Sequence, residues 1–136
     1  MALQIMYQRD AGAAPLEEIL AGFWEGNSTV DDTVRHFTEE LVHGTVEHME
    51  SLNSLIENYA SHWSTGRLAV VDRNILRLAM YELLYRDDIP PKVSINEYVD
   101  IAKKYSTEES GAFVNGILDR TLRESTAASE GKSGGG

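Results

Sequence analysis

Lys103, Lys104 and Tyr105 are followed within a few residues by Glu109, Ser110 and Phe113. Two cations, two rings, a carboxylate and a hydroxyl therefore share one short stretch. In such a set, lysines can hold a phosphate backbone and rings can stack on bases. Glu109 can accept hydrogen bonds from base amino groups. Each residue also has a plainer role. Cations in the last turn of a helix are favoured by about 0.3–1 kcal/mol. Glu109 can serve as a helix cap, and a phenylalanine at the spacing of Phe113 is more often core.

Arg73 and Arg77 stand four apart, one above the other on a helix. Like charges at that spacing repel unless anions answer them. Phosphates can answer, and so can Asp72, Glu82 or acidic side chains elsewhere in the fold. His36, Glu40, His43 and Glu47 fall on one helical face and have metal-ligand spacing. One helix cannot close a tetrahedral site alone, so they read as a solvated polar face and no metal is expected. No nucleophile–base–orienter set and no glycine-rich phosphate loop is present. The chain reads as a binding module that needs no cofactor and performs no reaction.

Bulk composition narrows the partners. The 136 residues form one domain with 42% hydrophobic content and no cysteine. That excludes disulfides and thiol catalysis, and it fits a cytoplasmic location. No run of about 18 apolar residues occurs and no secretory signal shows, so no membrane partner is expected. A net charge of −10 argues against indiscriminate nucleic-acid binding. The charge is uneven. Residues 1–65 hold two basic and eleven acidic side chains, whereas residues 66–123 hold nine of each. Either two surfaces face different partners, or the acidic half is a solubilising face.

The elements that must position these residues are helical. No segment alternates with period two, so the fold class is all-α. Met1–Arg9 shows a short helical face, and Ala11–Pro15 breaks it. Pro15 suits the first turn of a second helix through Phe23. From Thr29 to about Tyr59 the apolar steps are three, four or seven, as one helix or two, with Gly44 the expected bend. Ser64-Thr65-Gly66 reads as a turn. Val70–Tyr85 is apolar nearly all round and reads as a central buried helix. Ser94 with Glu97 reads as a capping box, and Val93 with Tyr98 as a staple, for a helix from Ile95 to about Tyr105. Ser106 with Glu109 forms a second capping box. The last helix buries Phe113, Val114, Ile117, Leu118 and Leu122. Asn115 and Gly116 are expected at a close helix contact.

Five pieces carry a family resemblance: Ala2-Leu3-Gln4-Ile5-Met6-Tyr7-Gln8, Val71-Asp72-Arg73 through Tyr81-Glu82-Leu83, Ile89-Pro90 through Ile95-Asn96-Glu97, Ala102-Lys103-Lys104, and Phe113-Val114-Asn115-Gly116-Ile117-Leu118-Asp119. In this order and spacing the chain resembles the NusB family of bacterial transcription antitermination factors. The resemblance implies six to seven helices in two small helical subdomains, 1–65 and 66–124, before a disordered tail at 125–136. It implies binding of boxA single-stranded RNA together with the ribosomal protein NusE, in support of rRNA operon transcription. Other Nus factors and RNA polymerase would be engaged indirectly. It implies no catalysis. The family's RNA-contacting positions fall on Tyr7, Asp72, Tyr105, Glu109 and Phe113, and Arg77 and Lys103 complete the expected set.

Two departures stand out. Family members begin with an arginine-rich run just before the segment matching Ala2–Gln8, and that run is a main RNA-contacting element. The sequence as given starts at Met1, which is expected to be a misplaced start or an artificial boundary. Ala112 stands where relatives often carry a basic residue. Two rival readings follow from the same resemblance. One is a homodimeric protein-interaction module with a masked RNA site. The other is a detached RNA-binding appendage of an rRNA cytosine methyltransferase.

Overall fold

The computed structural model describes residues 1–12, 14–60 and 70–135, with side chains described to residue 125. Among these residues there are seven helices and no strand: α1 (Ala2–Ala11), α2 (Leu16–Glu25), α3 (Asp32–Glu47), α4 (Met49–Ala60), α5 (Val70–Tyr85), α6 (Pro91–Tyr105) and α7 (Glu108–Gly135). The all-α expectation holds. The turn expected at Ser64-Thr65-Gly66 lies outside the described residues.

The centre of the molecule is α5, which packs against α1, α3, α4, α6 and α7. A helix touched by five others keeps little solvent face, which explains its largely apolar sequence. Ile75, Leu76, Leu78, Ala79 and Met80 are all buried. Each large side chain removed from water in this way stabilises the fold by about 1.5–3 kcal/mol. Asn74, Arg77 and Glu82 are buried with them and must therefore be paired. The Asn74 amide donates to Asp10 Oδ2 at 3.0 Å, and Ser94 Oγ donates to Glu82 Oε1 at 3.1 Å. Helix α4 packs on α5 and α7 as well as on α3. It therefore sits against the later helices, although its sequence lies in the acidic first half.

Helix boundaries follow local chemistry that periodicity does not reveal. Asp31 caps α3 by accepting from the Thr33 amide at 3.1 Å, so that helix starts at Asp32 rather than Thr29. The interruption between α3 and α4 is a single residue, His48, and not Gly44. His48 N donates to Gly44 O at 3.1 Å, and His48 Nδ1 lies 2.9 Å from the same oxygen. Its ring lies against that of Tyr85, with centroids 4.0 Å apart and planes tilted by 31°. Gly44 serves a different purpose. A Cβ there would lie 2.1 Å from Tyr81 Cζ, so glycine is what lets the Tyr81 ring lie against α3.

Both expected capping boxes are corrected. Pro90 is the N-cap of α6 and Pro91 stands in its first turn, where a missing N–H costs nothing. Ser94 thus lies inside the helix, and its hydroxyl goes to the buried Glu82 carboxylate instead. Val93 is 55% exposed, so it staples nothing. At α7 the cap is Thr107, one residue later than expected, whose Oγ1 accepts from the Ser110 amide at 3.0 Å. Asn115 and Gly116 are exposed and not at a helix contact. The close approach of α6 to α7 falls on Gly111, where a Cβ would meet Lys103 Cγ at 2.6 Å.

Candidate nucleic-acid interface

Three helix ends meet at the face where the expected residues collect. They are the start of α5 with Asp72, the end of α6 with Lys103 to Tyr105, and the start of α7 with Thr107 to Ser110. A relay of hydroxyls ties them. Ser106 Oγ lies 2.9 Å from Ser110 Oγ, and Thr107 Oγ1 donates to Ser110 Oγ at 3.1 Å. Ser110 Oγ then donates to Asp72 Oδ2 at 3.0 Å. Asp72 is 8% exposed, and its Oδ1 is buried with no hydrogen-bond partner. A buried acceptor left unmatched costs about 1–3 kcal/mol, and an incoming N–H donor recovers it. A base amino group is such a donor.

Lys103 and Tyr105 fall on two sides of α6. Lys103 and Tyr105 are two positions apart, which turns them about 200° around the helix axis. The Lys103 stem packs on Gly111 of α7. Lys104 lies beside the ring instead, its Nζ 5.3 Å from the Tyr105 centroid. Tyr105 is 60% exposed and Tyr7 is 53% exposed. Tyr7, Lys104 and Tyr105 line the same open groove between α1 and α6. Glu109 and Arg73 are exposed near this face, in the first turns of α7 and α5. Lys104 stands beside Tyr105, as their adjacency in sequence leads one to expect. Nothing local announces the bond of Ser110 to Asp72, 38 residues away.

Two expected contacts are placed elsewhere. Arg77 is 8% exposed and lies inside the fold. Its Nη1 donates to Asp10 Oδ2 at 3.0 Å and to Asn74 Oδ1 at 2.9 Å, and its Nε donates to Asn53 Oδ1 at 2.8 Å. Internal acceptors, not phosphates, answer this arginine. Burial lowers the basicity of its guanidinium and Asp10 restores part of it. Phe113 is buried in the core with Val114, Ile117 and Leu118, not set on the surface. On the histidine face, His36 Nε2 lies 3.0 Å from Glu40 Oε1 and His43 Nε2 lies 3.3 Å from Glu17 Oε1. Among the described residues no cluster can hold a metal ion. No helix there is long and apolar enough to cross a membrane.

A family model described as "NusB family" matches residues 1–123. The transcription antitermination protein NusB of Thermodesulfovibrio yellowstonii is 48% identical over 110 residues, covering 80% of this chain and 73% of the relative. That of Geobacter sulfurreducens is 48% identical over 122 residues, covering 88% and 86%. Among solved structures, NusB of T. maritima superposes with a TM-score of 0.76 at 44% identity, covering 90% of this chain and 83% of that one. A crystal structure of the antitermination factors NusB and NusE in complex with dsRNA gives a TM-score of 0.80 at 30% identity, covering 90% and 91%.

Proposed function

This chain belongs to the NusB family, a family of antitermination factors and not of enzymes, and from that membership we propose that it binds boxA RNA as an unpaired strand jointly with NusE, in support of rRNA operon transcription. The observation that carries the reading is the exposed Tyr105 ring with Lys104 beside it, on the same groove as Tyr7. The two tyrosines stack on bases, while Lys104 and Arg73 hold phosphates. Asp72 and Glu109 accept from base amino groups. Stacking on open rings suits an unpaired strand. It also tolerates a net charge of −10 better than duplex binding does, because duplex affinity depends on phosphate neutralisation. NusE supplies the rest of the cationic surface. The similar NusB solved together with NusE and double-stranded RNA supports the joint partnership.

A gel-shift titration of a boxA oligonucleotide, run with and without NusE, tests this. Affinity is expected to rise when NusE is added and to fall with salt along a shallow slope. Equal binding in both arms would overturn the joint surface.

A further inference from the structure

Beyond the RNA face, the groove between α1 and α6 continues along α5 and carries features that RNA binding does not use. Its floor includes Ile75, Leu78 and Glu82 of α5. One wall is a single face of α6, where Val93, Glu97, Asp100, Ile101 and Lys104 recur at helical steps. From Val93 to Lys104 that face runs about 16 Å, or three helical turns. The groove encloses about 1120 Å³, above the roughly 300–1,000 Å³ of small-molecule sites. It is sized for an element of protein structure.

The lining is apolar with one sign of charge over most of its length. Val93 is more than half exposed on the wall, and Phe37 is partly exposed on the opposite side, with the Arg86 guanidinium 5.1 Å from its ring centroid. Glu97 and Asp100 are exposed on the wall. Glu82 is buried in the floor, where its carboxylate receives the hydroxyls of Tyr98 and Ser94. No salt bridge reaches Glu82 among the described residues. A carboxylate has about four acceptor positions, so two hydroxyls leave room for a cation. Lys104, a cationic side chain of the groove, stands at the end nearest the RNA face.

We propose that this groove docks a basic amphipathic helix of about three turns from a partner protein, its apolar face on Val93 and Ile101 and its cations against Glu82, Glu97 and Asp100. Charge selects this occupant over the others. RNA would bring phosphates to three carboxylates. A second copy of this chain carries a net charge of −10 and would bring like charge to like. A cationic helix buries the exposed apolar side chains and pairs the acidic ones in one step.

The test is fluorescence anisotropy of the whole protein with a dye-labelled helical peptide of about three turns, leucines on one face and arginines on the other. The control is the same peptide with glutamate for arginine. The arginine peptide is expected to bind, more weakly as salt rises. The double variant Glu97→Arg, Asp100→Arg is expected to weaken it by about tenfold or more. Both positions are exposed, so the variant keeps its helical circular dichroism. Equal binding of the glutamate peptide would overturn the proposal, as would an unchanged affinity in the double variant. A dimer by light scattering that the arginine peptide fails to dissociate would also overturn it and make a second copy the occupant. Neither substituted residue belongs to the RNA set, so this experiment can fail while boxA binding stands.

Discussion

Arg77 Nη1 and Asp10 Oδ2 are joined at 3.0 Å, which fastens the central helix to the last turn of α1. The two residues are 67 positions apart in sequence. The same guanidinium also holds Asn53 of α4 and Asn74 of its own helix. One side chain therefore connects three helices. Arg77→Met leaves those acceptors without their donor, and the expected loss of stability is about 2–4 kcal/mol. Arg77→Lys recovers only part of it, because an ammonium cannot reproduce the fork of donors. Urea unfolding measures both. The folded variants retain boxA affinity if Arg77 is structural; a selective loss of RNA binding at full stability would contradict its placement.

Gly44 and Tyr81 make a second, sterically defined pair. Gly44→Ala places a methyl group inside the present position of the ring and forces α3 or Tyr81 to move. A net destabilisation of about 1–2 kcal/mol is expected, even after the better helix propensity of alanine. In a Tyr81→Ala background the sign reverses, and Gly44→Ala becomes stabilising. A double-mutant cycle by thermal unfolding reads this directly. Additive effects would show that the ring does not need the glycine.

On the RNA face, Tyr105→Ala is expected to weaken boxA binding by about 1–3 kcal/mol, the contribution of one stacked base. Lys104→Ala acts differently. It flattens the slope of log K against log salt by about 0.7, the signature of one phosphate contact on a single strand. Gel shifts at several salt concentrations separate the two effects. If Tyr105→Ala binds as the parent does, the stacking assignment fails.

The buried Glu82 makes stability depend on pH. Burial, the largest influence, lifts its carboxyl above the ordinary 4.5, while hydrogen bonds from Tyr98 and Ser94 pull it part of the way back. A carboxyl raised in the folded state favours folding fully below its unfolded value. That contribution is lost as pH rises through the folded value. The window therefore begins near pH 4.5 and extends upward. Glu82→Gln keeps an acceptor but removes the titration. Relative to that variant, the parent protein should become less stable as pH rises from acid toward neutral. A difference in unfolding free energy that stays level across the range would rule this out.

Much of the helical layout was legible because period and punctuation are local. The apolar run of α5 announced its burial, and Pro15 announced the start of α2, one residue before its first helical position. What failed were signals with two meanings. Gly44 looked like a weak point in a helix, and it is instead the space taken by Tyr81. Ser94 fitted a capping box, but the adjacent prolines start the helix earlier and a buried carboxylate claims the hydroxyl. Arg77 and Arg73 looked alike in sequence. Only the distant Asp10 and Asn53 decide that one faces inward and the other outward. On the RNA face, Tyr105 was readable from its neighbours. The link from Ser110 to Asp72 depends on a contact between helix starts that no local pattern encodes.

The one-residue joint at His48 has a consequence for engineering. Helix α4 belongs by chemistry of composition to the first half but fits its surface to the second. A chimaera spliced between relatives near residue 65 would pair α4 with a foreign α5 and α7. A seam at His48 would carry α4 with α5 and α7, yet the Gly44–Tyr81 and Asp10–Arg77 contacts would still cross it, so both partners of each would have to come from one parent.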